Sequence, residues 1–190
     1  MNMGIQILAA FFVWLVVMRV PNLFYEKPLV LVGWTFGSTA VKTAAAWVLY
    51  VWFAGNQDKA RLGGLAGDTG LRVAQALFGV SLIPFGLAHF MYLDATTVLI
   101  PHWLPWPAAW AYFTGGAFIA AGVAMMFNVY GRMAAWLVTL QILLFNVIIW
   151  IPRARAGNLT EFQKGEFITT WVLAACAWLL AESYRRRESR

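Results

Sequence analysis

Apolar residues run along this chain in long continuous blocks instead of alternating with polar ones, and short stretches between the blocks carry most of its charge. A helix needs about 20 apolar residues to cross a bilayer, whereas the strands of a membrane barrel would alternate. The pattern predicts an all-α polytopic membrane protein of six helices: Gly4 to Val20, Leu29 to Ala54, Leu71 to Leu93, Pro107 to Asn128, Met133 to Ile151 and Glu161 to Glu182. Pro21 and Pro28 bracket the first connection, because proline cannot continue a helix interior. Asp68 or Thr69 is expected to cap the third helix, and Thr160 with Gln163 forms a capping-box pattern before the sixth. Short connections make neighbouring helices antiparallel.

Within the third helix, Arg72, Gln75, Gly79, Leu82, Gly86 and His89 follow steps of three and four, which gathers them on one face. Glycines on such a seam let a second backbone come close, so His89 is expected to point into the bundle. Asn146, Trp150 and Arg153 share a face of the fifth helix, and with Tyr112 of the fourth they make an expected polar cluster around His89. Lys42 is an intramembrane charge, costing about 2.5 to 3.5 kcal/mol near the bilayer centre. It is read as snorkelling toward the outer interface, with a structural pairing or a direct functional role as alternatives. No carboxylate is foreseen inside the spans as its partner.

Composition supports the membrane reading. The 190 residues are 62% hydrophobic and 12% charged, with mean hydropathy +0.68, against about a quarter charged in soluble domains. The net charge of +6 sits in loops and at the C-terminus, as Arg185, Arg186, Arg187 and Arg190, and reads as a topology signal with no nucleic-acid partner. Lys59, Arg61, Arg72, Arg132 and those arginines outweigh Arg19, Lys27, Arg153, Arg155 and Lys164 on the other side, which places both termini in the cytoplasm of a bacterial inner membrane. The first apolar run lacks a basic n-region and a cleavage pattern, so it is expected to stay as a helix. A lone Cys176 forms no CxxC, which argues against a thiol oxidase working through cysteine pairs. The stretch RLGGLAGDTG matches neither a P-loop nor GxGxxG and reads as a flexible linker; the sequon at Asn158 carries no weight.

Both histidines fall between Ile83 and Gly116. His89 is the strongest candidate for chemistry, since imidazole can hydrogen-bond a quinone, take a proton or ligate a metal, and a structural histidine is the competing reading. His102, Trp103, Trp106 and Trp110, among Pro101, Pro105 and Pro107, read first as an interfacial belt and otherwise as a lid over an apolar pocket beside His89. Haem ligation is disfavoured, because His102 lies beyond the helix end, and no metal-ligand spacing occurs.

From Arg72 to about Glu182 the chain resembles the DoxX-like membrane protein family. The matching pieces are Gly86-Leu87-Ala88-His89-Phe90, then Pro101-His102-Trp103-Leu104-Pro105, Trp110-Ala111-Tyr112-Phe113-Thr114-Gly115, Arg132-Met133-Ala134-Ala135 and Ile151-Pro152-Arg153. The resemblance implies an antiparallel four-helix bundle over residues 71–184. Around it stand an N-terminal hairpin (1–55), a glycine-rich cytoplasmic linker (56–70) and a basic tail (185–190). It further implies either a quinone-linked, redox-associated subunit or an accessory subunit, with quinone as the implied cofactor class. Many relatives carry histidine where this chain has Trp150, so a role needing two facing histidines is not implied here. The expected function is an accessory or quinone-linked subunit with an apolar pocket near His89. The alternatives are a non-enzymatic assembly subunit, with a membrane-complex partner or a second copy, and third a small transporter.

Overall fold

The computed structural model describes residues 3–21, 24, 29–157 and 159–188, and among them every regular element is helical. Helix α1 (Met3–Val13) runs on as a π-helical turn (Trp14–Arg19), and α2 spans Leu29–Phe53. A short α3 (Asn56–Leu62) and a 3-10 turn (Gly63–Ala66) lead into α4 (Asp68–Met91). The one-turn α5 (Leu93–Thr97) precedes α6 (Pro107–Met126). Helix α7 (Gly131–Phe145) continues through a π-helical turn (Asn146–Trp150) into α8 (Ile151–Arg155), and α9 covers Glu161–Glu188. Lys27, Pro28, Asn158 and Arg190 lie outside the described residues, as do the side chains of Arg186 and Arg187.

Four of these are long and apolar enough to cross a membrane: Asp68–Met91, Pro107–Met126, Gly131–Arg155 and Glu161–Arg185. The chain is an integral membrane protein by that measure. Outward faces are as apolar as the interior: on α7, Leu137, Leu140, Leu144 and Val147 are exposed while Ala135, Val138 and Ile142 are buried, the arrangement expected where the solvent is lipid. The remaining elements differ in kind. Gly4–Arg19 is a shorter apolar helix, and α2 breaks its apolar run with Thr35, Ser38, Thr39, Lys42 and Thr43.

The long helices form a ring. Helix α4 packs most extensively on α6 and on α2, α6 lies on α7, α7 on α9, and α9 returns to α2. Direct contact between α4 and α9 is slight by comparison; it includes a buried bond in which Gln75 Nε2 donates to Ser183 Oγ at 3.0 Å. The four helices from Asp68 onward therefore close through α2, whose Val41, Ala44, Ala45 and Val48 belong to the common core. Helix α1 rests on α2 from outside, running antiparallel to it, with Phe12 edge-on to Trp47 at 6.4 Å.

Close packing of α4 on α6 depends on two glycine pairs. A Cβ on Gly79 would stand 2.6 Å from the Gly122 carbonyl oxygen, and one on Gly86 would stand 2.5 Å from that of Gly115. Both distances are far below contact, so these positions admit no side chain. Van der Waals packing between backbones takes over where lipid removes the hydrophobic drive for helix association.

Local details depart from the sequence expectations for identifiable reasons. The stretch expected to be a flexible linker is folded: Ala66 is buried, and Trp47 Nε1 donates to the Leu65 carbonyl at 3.1 Å. Asp68 does not cap α4 but begins it, where its charge favours the helix dipole. The fifth apolar run does not stop at Ile151. A π-helical turn just before Pro152 widens the backbone where the proline ring and its missing N–H would clash with a regular helix. At α9 the capping box forms as expected, Gln163 N–H donating to Thr160 Oγ1 at 3.2 Å and Thr160 N–H to Gln163 Oε1 at 3.1 Å.

Candidate functional site

The glycine seam carries His89 to the inside of the ring, where it is 9% exposed. Its Nδ1 lies 2.7 Å from the Phe85 carbonyl oxygen. A carbonyl only accepts, so Nδ1 carries the proton and Nε2 of the neutral ring is an acceptor. The imidazole stacks on Phe145 (6.1 Å, 28°) and tilts against Phe118 (5.6 Å).

Asn146 follows Phe145 at the start of the π-helical turn and is fully buried. Its Nδ2 donates to the Ile142 carbonyl at 3.2 Å, while Oδ1 is buried without a hydrogen-bond partner. Trp150 closes the same turn and is also buried. A π-helical turn inside a helix frequently marks a functional position, and here it coincides with a proline that explains it.

Other residues of the expected cluster lie elsewhere. Tyr112 is 51% exposed, its ring 5.8 Å from Phe90 on the outward side of the α4–α6 contact. Arg153 donates from Nη2 to the Val98 carbonyl oxygen. It shares an open cavity of about 320 Å³ with His102, Pro101 and Pro152. Trp103 and Trp106 are strongly exposed and Trp110 moderately so, as suits indoles at a headgroup boundary. Trp106 holds a φ of 54° directly before α6, a left-handed backbone that a bulky residue rarely adopts.

Lys42 occupies a different site. Its Nζ donates to Ser38 Oγ at 3.2 Å, one turn toward the start of α2, the direction in which helical side chains lean. It lines a cavity of about 190 Å³ between α1 with its π-helical extension, α2 and α9. Helix α2 contributes Thr35, Ser38 and Thr39 beside Lys42; α9 contributes Glu166 and Thr169. Arg19 enters from the end of the π-helical extension, and Phe11, Trp14 and Trp34 supply aromatic surface. The expectation that no carboxylate would lie inside the spans is corrected by Glu166, a little over one turn into α9, within electrostatic reach of Lys42. The signal was present in the sequence: Thr35, Ser38, Thr39 and Lys42 fall at i, i+3, i+4 and i+7, one polar stripe on an apolar helix.

Among the described residues, no group of three or more histidine, cysteine, aspartate and glutamate side chains could hold a metal ion. No family model, curated protein or solved structure matches this chain. The functional reading therefore rests on the chain's own residues.

Proposed function

We propose that this is a six-span, DoxX-like protein of a bacterial inner membrane, with both termini cytoplasmic, that serves as a quinone-linked accessory subunit. The observation that supports the reading is a buried acceptor without a partner, Asn146 Oδ1, next in the chain to Phe145, which stacks on the inward-facing His89. His89 gives its one proton to Phe85. An acceptor without a donor suits a ligand that brings hydroxyl protons, which is the quinol form more than the quinone. Phe118 and Phe145, already packed on the imidazole, are the surfaces against which an aromatic head would stack.

Extraction of the full chain, purified in native-membrane nanodiscs, tests this. Co-purified quinol or quinone is expected in the wild type and is expected to fall at least about tenfold in His89→Ala and in Asn146→Leu. Absence of any quinone from wild-type protein purified from quinone-replete membranes would sink the reading.

A second reading, a non-enzymatic assembly subunit, is favoured by the closed packing of His89 between two phenylalanines, which is what a structural histidine requires. Recovery of a stoichiometric membrane partner in mild detergent, unaffected by His89→Ala, would select it.

A further inference from the structure

The cavity between α1, α2 and α9 carries charge that its own residues do not balance. Among the described residues, Arg19 and Lys42 bring two positive charges and Glu166 one negative, leaving one positive charge over. Thr39 Oγ1 is turned back on the Thr35 carbonyl at 3.1 Å, and Ser38 Oγ accepts from Lys42. Arg19 is half-buried, and its Nε is buried with no hydrogen-bond partner, a costly condition for a donor. A partly desolvated cation recovers its lost hydration by pairing with an anion.

We infer that this cavity binds the head of a membrane amphiphile carrying a single negative charge, a phosphodiester or a carboxylate. The single excess charge sets the valence, because a dianion would face Glu166 uncompensated. A cavity of about 190 Å³ accommodates a head but not acyl chains. The chains leave along the outer face of α1, where Val13, Trp14 and Val17 are exposed. Arg19 supplies the planar donor fork that suits a two-oxygen anion, and Lys42 supplies the point charge beneath it. Glu166 acts as the selectivity element, holding the site to monoanions.

Native mass spectrometry of the full chain in neutral detergent tests the assignment with dioctanoyl phosphatidylglycerol, dioctanoyl phosphatidylcholine and the chain-free head glycerophosphoglycerol. The wild type is expected to retain the phosphatidylglycerol at least about fivefold over the zwitterion, with no retention of the free head. Lys42→Met and Arg19→Gln should each abolish that preference, while Glu166→Gln should tighten phosphatidylglycerol binding by removing a like charge. That opposite sign separates a binding site from a structural cluster, in which all three changes would act in the same direction. Equal retention of the two lipids by the wild type, or weaker binding in Glu166→Gln, overturns the proposal. Retention of glycerophosphoglycerol as strong as that of the lipid overturns the amphiphile and assigns the cavity to a soluble anion. Should Lys42→Met fail to fold, Arg19→Gln, at the end of the π-helical extension, carries the same comparison.

Discussion

The contact of α4 with α6 and the junction of α1, α2 and α9 solve opposite problems with the same apolar material. At the first, Gly79 and Gly86 face Gly122 and Gly115 so closely that no Cβ fits, and backbone packs directly on backbone. At the second, Arg19, Lys42 and Glu166 line an open space between the helices. Lipid gives helices no hydrophobic reason to associate, so close proximity comes from small residues, whereas a polar lining between helices leaves a volume that a ligand can fill. The two regions are physically linked. Trp34, at the cavity, meets Phe85 at 5.0 Å, and Phe85 leads through Phe118 to His89 at successive ring separations of 6.2 and 5.6 Å.

Substitution in the glycine seam should be the most damaging change. Gly86→Leu is expected to eliminate the monodisperse folded species in detergent, and Gly86→Ala to cost about 2 to 3 kcal/mol in reversible unfolding, since Ile119 Cγ1 also stands 2.5 Å from the new Cβ position. Unchanged unfolding in Gly86→Ala would mean that α4 and α6 lie farther apart than described. Gln75→Leu, which leaves Ser183 with only its bond to the Leu180 carbonyl, should cost about 1 kcal/mol by the same measurement. Lys42→Met should go the other way, leaving stability unchanged or raising it by up to about 1 kcal/mol in uncharged detergent. A marked loss there would make the cavity a structural ion cluster. The smallest effect belongs to Trp106→Gly, which relieves a left-handed backbone and should gain about 0.5 kcal/mol in detergent, where the indole no longer serves a lipid boundary.

Apolar run length made the long helices legible, and spacing made the inward face of α4 legible, because one helix and its period suffice for both. What spacing could not supply was which helices meet. Asn146, Trp150 and Arg153 do share a stretch of one helical rod, yet Arg153 turns to the Val98 carbonyl while Asn146 stays buried; a π-helical turn between them alters the angular register that a 3.6-residue period assumes. Tyr112 was drawn inward by its chemistry, but the close approach at Gly115 leaves room only for small residues on that face, and Tyr112 lies outside it. Glu166 escaped notice because its significance depends on α9 lying beside α2, two helices separated by more than a hundred residues of chain. The fold of residues 56–66 was hidden for a similar reason: beside its own helix Asn56–Leu62, capped by Asp58, the segment packs on α4 and accepts a hydrogen bond from the Trp47 indole at Leu65, contacts that its glycine-rich composition does not announce.

Closure of the ring through α2 sets an order on biosynthesis. Helix α2 is the first of the ring helices to leave the ribosome, but one of its two ring neighbours, α9, follows it by more than a hundred residues of chain. Until α9 arrives, the Lys42 stripe has only α1 beside it and must face lipid or water, so a nascent chain halted before Glu161 carries an unburied cation as a sign of incompleteness.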